Sequence, residues 1–127
     1  MIEEVRFENV NFAYDVDVPV LKNINFTLKR NMKLAIVGQT GAGKSTIINL
    51  LARFYDPGEG RILINGHDVR DIPLASLRSR ISIVLQDSFL FSLSIRENIR
   101  FGKLEASDQE VVDAAKSIGA HDFIMKL

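Results

Sequence analysis

Gly38-Gln39-Thr40-Gly41-Ala42-Gly43-Lys44-Ser45-Thr46 sets three glycines, a lysine and two following hydroxyl residues between an apolar run, Leu34 to Val37, and an amphipathic one, Ile47 to Phe54. A strand that feeds a glycine-rich loop into a helix leaves a row of backbone N–H groups without intrahelical partners. All of them aim at one point in front of the positive end of the helix dipole. Such a concavity binds an anion. Gly38, Gly41 and Gly43 allow the backbone to curl and approach closely, so that the amides from Gly38 through Gln39, Thr40 and Ala42 to Thr46 form one nest. Lys44 places a point charge for the β and γ phosphates of a nucleoside triphosphate, and the Ser45 hydroxyl can reach a Mg²⁺ between them. The spacing, in its strand-to-helix setting, predicts that this chain holds a nucleoside triphosphate.

Working outward, the 127 residues fit one domain, long enough to bury a core. An apolar fraction of 46% with 25% charged residues is that of an ordinary globular protein, and 16 basic residues against 16 acidic ones offer no net field to a polyanion. No nucleic acid partner is expected. Without cysteine there is no disulfide, thiol catalysis or thiolate metal site. His67 and His121 have no ligand-spaced neighbours and read as solvated surface residues. No apolar run approaches the roughly 20 residues that cross a bilayer, and Met1-Ile2-Glu3-Glu4 is acidic where a secretory leader would be basic. Any role at a membrane is expected to run through a partner.

Val5, Phe7, Val10, Phe12 and Tyr14 alternate in part, which predicts a half-buried strand with a bend, and Ile24, Phe26 and Leu28 predict a second. Asp15 to Pro19 has no period and reads as a loop; Asn31 marks a turn. After the glycine-rich loop, Ile47, Ile48, Leu50, Leu51 and Phe54 predict a buried helix that stops at Asp56-Pro57-Gly58. Arg61 to Ile64, the pair Asn65-Gly66 and a return through Val69 predict a hairpin. A short helix is expected from Pro73 through Leu77, then an interior strand over Ile81 to Leu85. Beyond Gln86, Ser94 with Glu97 and Ser107 with Glu110 have the spacing of capping boxes, which predicts two helix starts. The second helix would close at Gly119, and Ala120 to Leu127 would begin another amphipathic turn.

With these residues placed, the chain resembles the nucleotide-binding domain of an ABC transporter, most closely the exporter type that carries its own membrane-spanning region. The resemblance rests on Val5-Arg6-Phe7-Glu8-Asn9-Val10, Phe12-Ala13-Tyr14 and Val20-Leu21-Lys22-Asn23-Ile24 before the loop. After it come Phe54-Tyr55-Asp56-Pro57, Gly60 to Gly66, Ile81 to Asp87, and Ser94-Ile95-Arg96-Glu97-Asn98-Ile99. It implies an α/β fold: a P-loop NTPase core of the RecA-like kind with an antiparallel β-subdomain, cut within its helical subdomain. Residues 1–86 would hold the ATP-binding core and β-subdomain, and residues 87–127 the glutamine loop and the start of the helical subdomain. Tyr14 would carry the adenine ring, where stacking is worth about 1–3 kcal/mol, although a tyrosine on a strand also packs there without a ligand. Gln86 would join Ser45 in the Mg²⁺ shell, the plainer alternative being a loop amide. Ser88 and Leu93 depart from residues usual in the family, proline and glycine.

Hydrolysis in that family needs a second carboxylate strand, a glutamate beside it, a switch histidine and a Leu-Ser-Gly-Gly-Gln signature, and none occurs in this sequence. The 127 residues are therefore expected to bind ATP and Mg²⁺ without hydrolysing ATP. Leu34 to Val37 and Ile81 to Leu85 should lack direct pairing partners, because the family's sheet places another strand between them. The implied partners are a membrane-spanning domain, met through the region after Gln86, and a second nucleotide-binding domain, at the cytoplasmic face of a membrane. Two other readings stand beside this one. Another P-loop enzyme, a GTPase or small-molecule kinase, would need motifs not found here. A partner-docking segment would use the apolar Phe89, Leu90, Phe91 and Leu93, which could equally pack internally.

Overall fold

Val5, Phe7, Val10 and Phe12 all turn inward along β1 (Glu4–Asp15), although the step from Phe7 to Val10 breaks the two-residue period. The computed structural model, which describes residues 1–87 and 89–127, shows why. Asn9 sits at φ 49°, and the ladders to both neighbouring strands shift register there, so one inserted residue restores the inward face for Val10 and Phe12. The bend expected from the sequence is this bulge. Across it, Gly60 at φ 76° comes so close that a Cβ would lie 2.3 Å from the Asn9 carbonyl oxygen.

β2 (Val18–Lys29) is longer than expected. Asp15 already pairs with Val18, so the loop expected over Asp15 to Pro19 shrinks to a two-residue turn at Val16-Asp17. The tract without a period is carried by pairing instead, and Pro19 is tolerated because β2 is an edge strand of the sheet, where a missing N–H breaks no ladder. β3 (Glu59–Ile64) pairs with the other side of β1, and the Asn65-Gly66 turn, at φ 51° and 81°, returns the chain as β4 (His67–Asp68). The sheet order is β2-β1-β3-β4, antiparallel throughout. The Asn65 Oδ1 accepts from the Glu3 and Glu4 amides at 2.7 and 3.0 Å, fastening this turn to the start of β1.

Ile47 and Leu50 of α1 (Lys44–Leu51) belong to the same buried cluster as Phe7, Val10, Ile62 and Val69. Full burial of such a side chain contributes roughly 1.5–3 kcal/mol. The helix ends earlier than its apolar pattern predicts, and Phe54 lies outside it, exposed, with the Arg78 guanidinium 5.1 Å from its ring centre. Arg53 takes a left-handed turn at φ 54°, and Arg78, at the end of α2 (Leu74–Arg78), donates to the Ala52 and Arg53 carbonyls at 3.3 and 2.9 Å. Those bonds satisfy helix-end acceptors from outside.

Neither Leu34 to Val37 nor Ile81 to Leu85 forms a strand, against the sequence expectation for each. Both lack a ladder partner among the described residues, as expected, and an extended segment without hydrogen-bonded neighbours is not a strand however apolar it is. Only Ile36 and Ile81 lean on the core.

The chain divides into two units, residues 1–83 and 84–127. In the second, α3 (Ile95–Arg100) and α4 (Asp108–Ser117) both open with complete capping boxes, Ser94 with Glu97 and Ser107 with Glu110. The Lys103 ammonium, 2.6 Å from Glu110, and the Ser107 amide and hydroxyl hold the Glu110 carboxyl down to about 2. The Ser94 hydroxyl and amide lower Glu97 in the same direction. Gly119 closes α4 at φ 72°, before α5 (His121–Ile124). The sequence departure at Ser88 lies outside the described residues.

Candidate functional site

The start of α1 is unlike the starts of α3 and α4. Its N-cap is Gly43, in the left-handed region at φ 82°; no side chain caps it, and its first turn contains no acidic residue. The amides of Gly41, Gly43, Lys44, Ser45 and Thr46 donate to no backbone carbonyl among the described residues. Five donors and the positive end of a helix dipole therefore lie together at a helix start whose first turn carries no negative group. The loop holds that curl by sterics. A Cβ on Gly43 would lie 2.7 Å from Leu21 Cδ2, and one on Gly38, which is close to extended, would come 3.3 Å from the Ala42 Cβ. Gly41, at φ 84°, meets nothing.

Lys44 folds back over the loop. Its Nζ donates to the carbonyls of Gly38 and Gln39 at 2.8 and 2.6 Å, which leaves one of three N–H directions for an anion. Ser45 is exposed in the first turn of α1, and Thr46 is buried. An exposed hydroxyl is a hard oxygen donor of the kind Mg²⁺ takes, so the residues present suit a magnesium ion shared with a phosphate.

Tyr14 lies at the end of β1, yet its hydroxyl reaches the same helix, 3.2 Å from the Thr46 Oγ1 and 3.4 Å from the Asn49 Nδ2. Phe12 and Tyr55 pack against its ring edge-on, at 4.9 and 5.1 Å between centres. Half of the residue remains exposed. Beside it opens a shallow cavity of about 560 Å³, whose apolar lining includes Phe12, Val16, Pro19 and Leu21. Leu21 is also the side chain against Gly43, so cavity and loop share a wall.

The structure thus brings Tyr14 together with the segment from Gly38 to Thr46. Gln86 belongs to the other unit, where it is exposed on a bend. Sequence reasoning missed Asn49 and Tyr55. Asn49 was findable, since it lies three residues after Thr46 on the same helical face. Tyr55 carried no such signal, because its contact with Tyr14 spans 41 positions and depends on the left-handed turn at Arg53.

The family model described as ABC transporter matches residues 21–126 of this chain. A putative ABC transporter ATP-binding protein of Mycoplasma genitalium is 55% identical over 123 residues, covering 97% of this chain and 21% of its own length. An ATP-dependent lipid A-core flippase of Syntrophus aciditrophicus is 48% identical over 125 residues, 98% of this chain and 21% of that protein. A mitochondrial iron-sulfur clusters transporter of Yarrowia lipolytica is 59% identical over 112 residues, 88% of this chain and 16% of that protein. Among solved structures, a bacterial Atm1-family ABC exporter with ATP bound superposes with a TM-score of 0.93 at 48% identity, covering 99% of this chain and 22% of that one. The chain spans about a fifth of the length of the curated relatives it matches. Its glycine-rich loop, its antiparallel sheet and its capped helices accord with that match over most of the sequence, and the chain belongs to the ABC transporter family.

Proposed function

We propose that this chain binds Mg-ATP as part of the motor domain of an ATP-driven exporter. The observation that carries the reading is the set of amides of Gly41, Gly43, Lys44, Ser45 and Thr46, which donate to no backbone carbonyl among the described residues, at a helix start with no acidic residue in its first turn and no side-chain cap. The nest from Gly38 to Thr46, with Lys44, would hold the polyphosphate, Ser45 would hold Mg²⁺, and Tyr14 would carry the adenine. By its resemblance to the family's glutamine-loop residue, Gln86 would be a further Mg²⁺ ligand. Residues 1–86 supply the nucleotide-binding part and residues 87–127 the glutamine loop and the beginning of the helical subdomain. Mg²⁺ held there would supply charge neutralisation to the polyphosphate. The chain's own residues bind and orient the nucleotide, and the 127 residues release no phosphate from it.

The partners in this reading are a second nucleotide-binding domain and a membrane-spanning domain, reached through the region after Gln86 at the cytoplasmic face. Support comes from Phe89, Leu90 and Leu93, all exposed, and from an apolar cavity of about 480 Å³ beside them in the second unit. Asn98 shapes that region by accepting from the Phe91 amide at 2.8 Å and donating to the Phe91, Leu93 and Ser94 carbonyls. No helix among the described residues is long and apolar enough to cross a membrane.

The test is a titration of labelled ATP, with Mg²⁺, against the chain and its Lys44→Ala variant. Loss of a charge-assisted bond weakens affinity about ten- to a hundredfold. Equal affinities would show that this loop is not the site.

A further inference from the structure

The contacts at the tip of Tyr14 go beyond what a base platform needs. A phenol hydroxyl on a half-exposed ring is readily satisfied by water, yet this one meets two side chains of α1, Thr46 and Asn49. They are neighbours at i and i+3 on one helical face. Thr46 is the last residue of the phosphate loop, and Asn49 stands one turn further along. Phe12 and Tyr55 pack edge-on with the ring, which stays half exposed, so that the ring has neighbours as well as a fastened tip.

Resting on the reading above, in which Tyr14 carries the base, we infer that Asn49 is a positioning residue for ATP: with Thr46 it ties the base platform to the helix that carries the phosphate nest. The distance between the two halves of the nucleotide site is then set before ATP arrives, and a ligand that fits both avoids the cost of ordering the ring. A polyphosphate without a base uses the nest and gains nothing from the tether. Asn49 therefore contributes to discrimination between a nucleotide and a bare polyphosphate while touching neither.

The experiment measures binding of Mg-ATP and of Mg-tripolyphosphate to the chain, to Asn49→Ala, to Tyr14→Phe and to the double variant. Each single change is expected to weaken ATP binding about two- to fivefold, the range of one neutral hydrogen bond. The double variant should bind ATP no more weakly than Tyr14→Phe, because both changes cut the same tether. Tripolyphosphate affinity should not move. Unchanged ATP affinity in Asn49→Ala overturns the inference, and so does an equal loss for both ligands. A second measurement leaves Asn49 in place. The sequence has two tyrosines and no tryptophan, so Tyr55→Phe makes Tyr14 its only emitter, and the anisotropy decay of that emission reports the ring's motion. A tethered ring shows no fast component before ATP is added, whereas a freely turning ring contradicts the tether. If the parent chain binds no ATP, or binds it with indifference to Lys44→Ala, the nucleotide reading itself falls. If binding needs Lys44 but ignores Asn49, only the positioning role falls.

Discussion

Ile62 in β3 and Val84 after α2 are both β-branched residues in short apolar runs, yet Ile62 is fully buried and Val84 is 98% exposed. The antiparallel sheet β2-β1-β3-β4 and the two segments Leu34 to Val37 and Ile81 to Leu85 are alike in composition and opposite in outcome. β3 pairs with β1 along most of its length and with β4 at Leu63 and Ile64, while Ile62 and Ile64 join Ile47 and Leu50 of α1 in one buried cluster. The two segments have no ladder neighbour among the described residues, and Val37, Val84 and Leu85 face solvent. β-propensity measures fitness for a pleated, half-buried surface; a neighbouring strand is what turns fitness into structure.

The largest effect that contrast predicts is in amide exchange. Amides of β1 and β3 should open only with the unit as a whole, while those of Ile81 to Leu85 exchange about a thousandfold faster or more. Strong protection over 81–85 in a monomer would break the comparison. Mutation sharpens it further. Phe7→Ala removes a ring that is 1% exposed and stacked on Phe26 at 4.4 Å, and should cost about 3–5 kcal/mol in urea unfolding. Leu85→Ala should stay within about 0.5 kcal/mol.

Helix starts give a smaller, parallel contrast. Ser107→Ala removes the capping hydroxyl of α4 and should cost about 1 kcal/mol of helix stability by thermal melting. Ser45→Ala in the uncapped first turn of α1 should leave stability unchanged and weaken Mg-ATP binding instead. The smallest effect is with pH. The Glu110 carboxyl is depressed from 4.5 to about 2, so its stabilising contribution is fully present above pH 4.5 and is lost as pH falls towards 2. Glu110→Gln should abolish that part of the acid dependence of the second unit, measured by circular dichroism between pH 5 and about 2. An unchanged acid profile would show that the Lys103 and Ser107 contacts do not persist in solution.

Much of the fold was legible where local chemistry decides it. The Asn65-Gly66 hairpin, both capping boxes, the short helix after Pro73 and the left-handed close at Gly119 all follow from a few adjacent residues. What sequence could not supply was distant. The early end of α1 depends on Arg78 reaching back to Ala52 and Arg53, and the length of β2 depends on pairing that carries Pro19 along at a sheet edge. At the candidate site, the curl of the loop was readable from its glycines. The anchoring of the Tyr14 hydroxyl by Thr46 and Asn49 was not, because it needs the end of β1 to meet α1 more than thirty positions away.

Exchange at residues 38–46 with and without Mg-ATP tests the central claim most directly, since it reads the amides that the nucleotide would engage. The account predicts that exchange there slows about tenfold or more on adding Mg-ATP, that Lys44→Ala loses the effect, and that β1 and β3 do not change. Exchange over 38–46 that is indifferent to saturating Mg-ATP, in a chain whose sheet is protected, would contradict it.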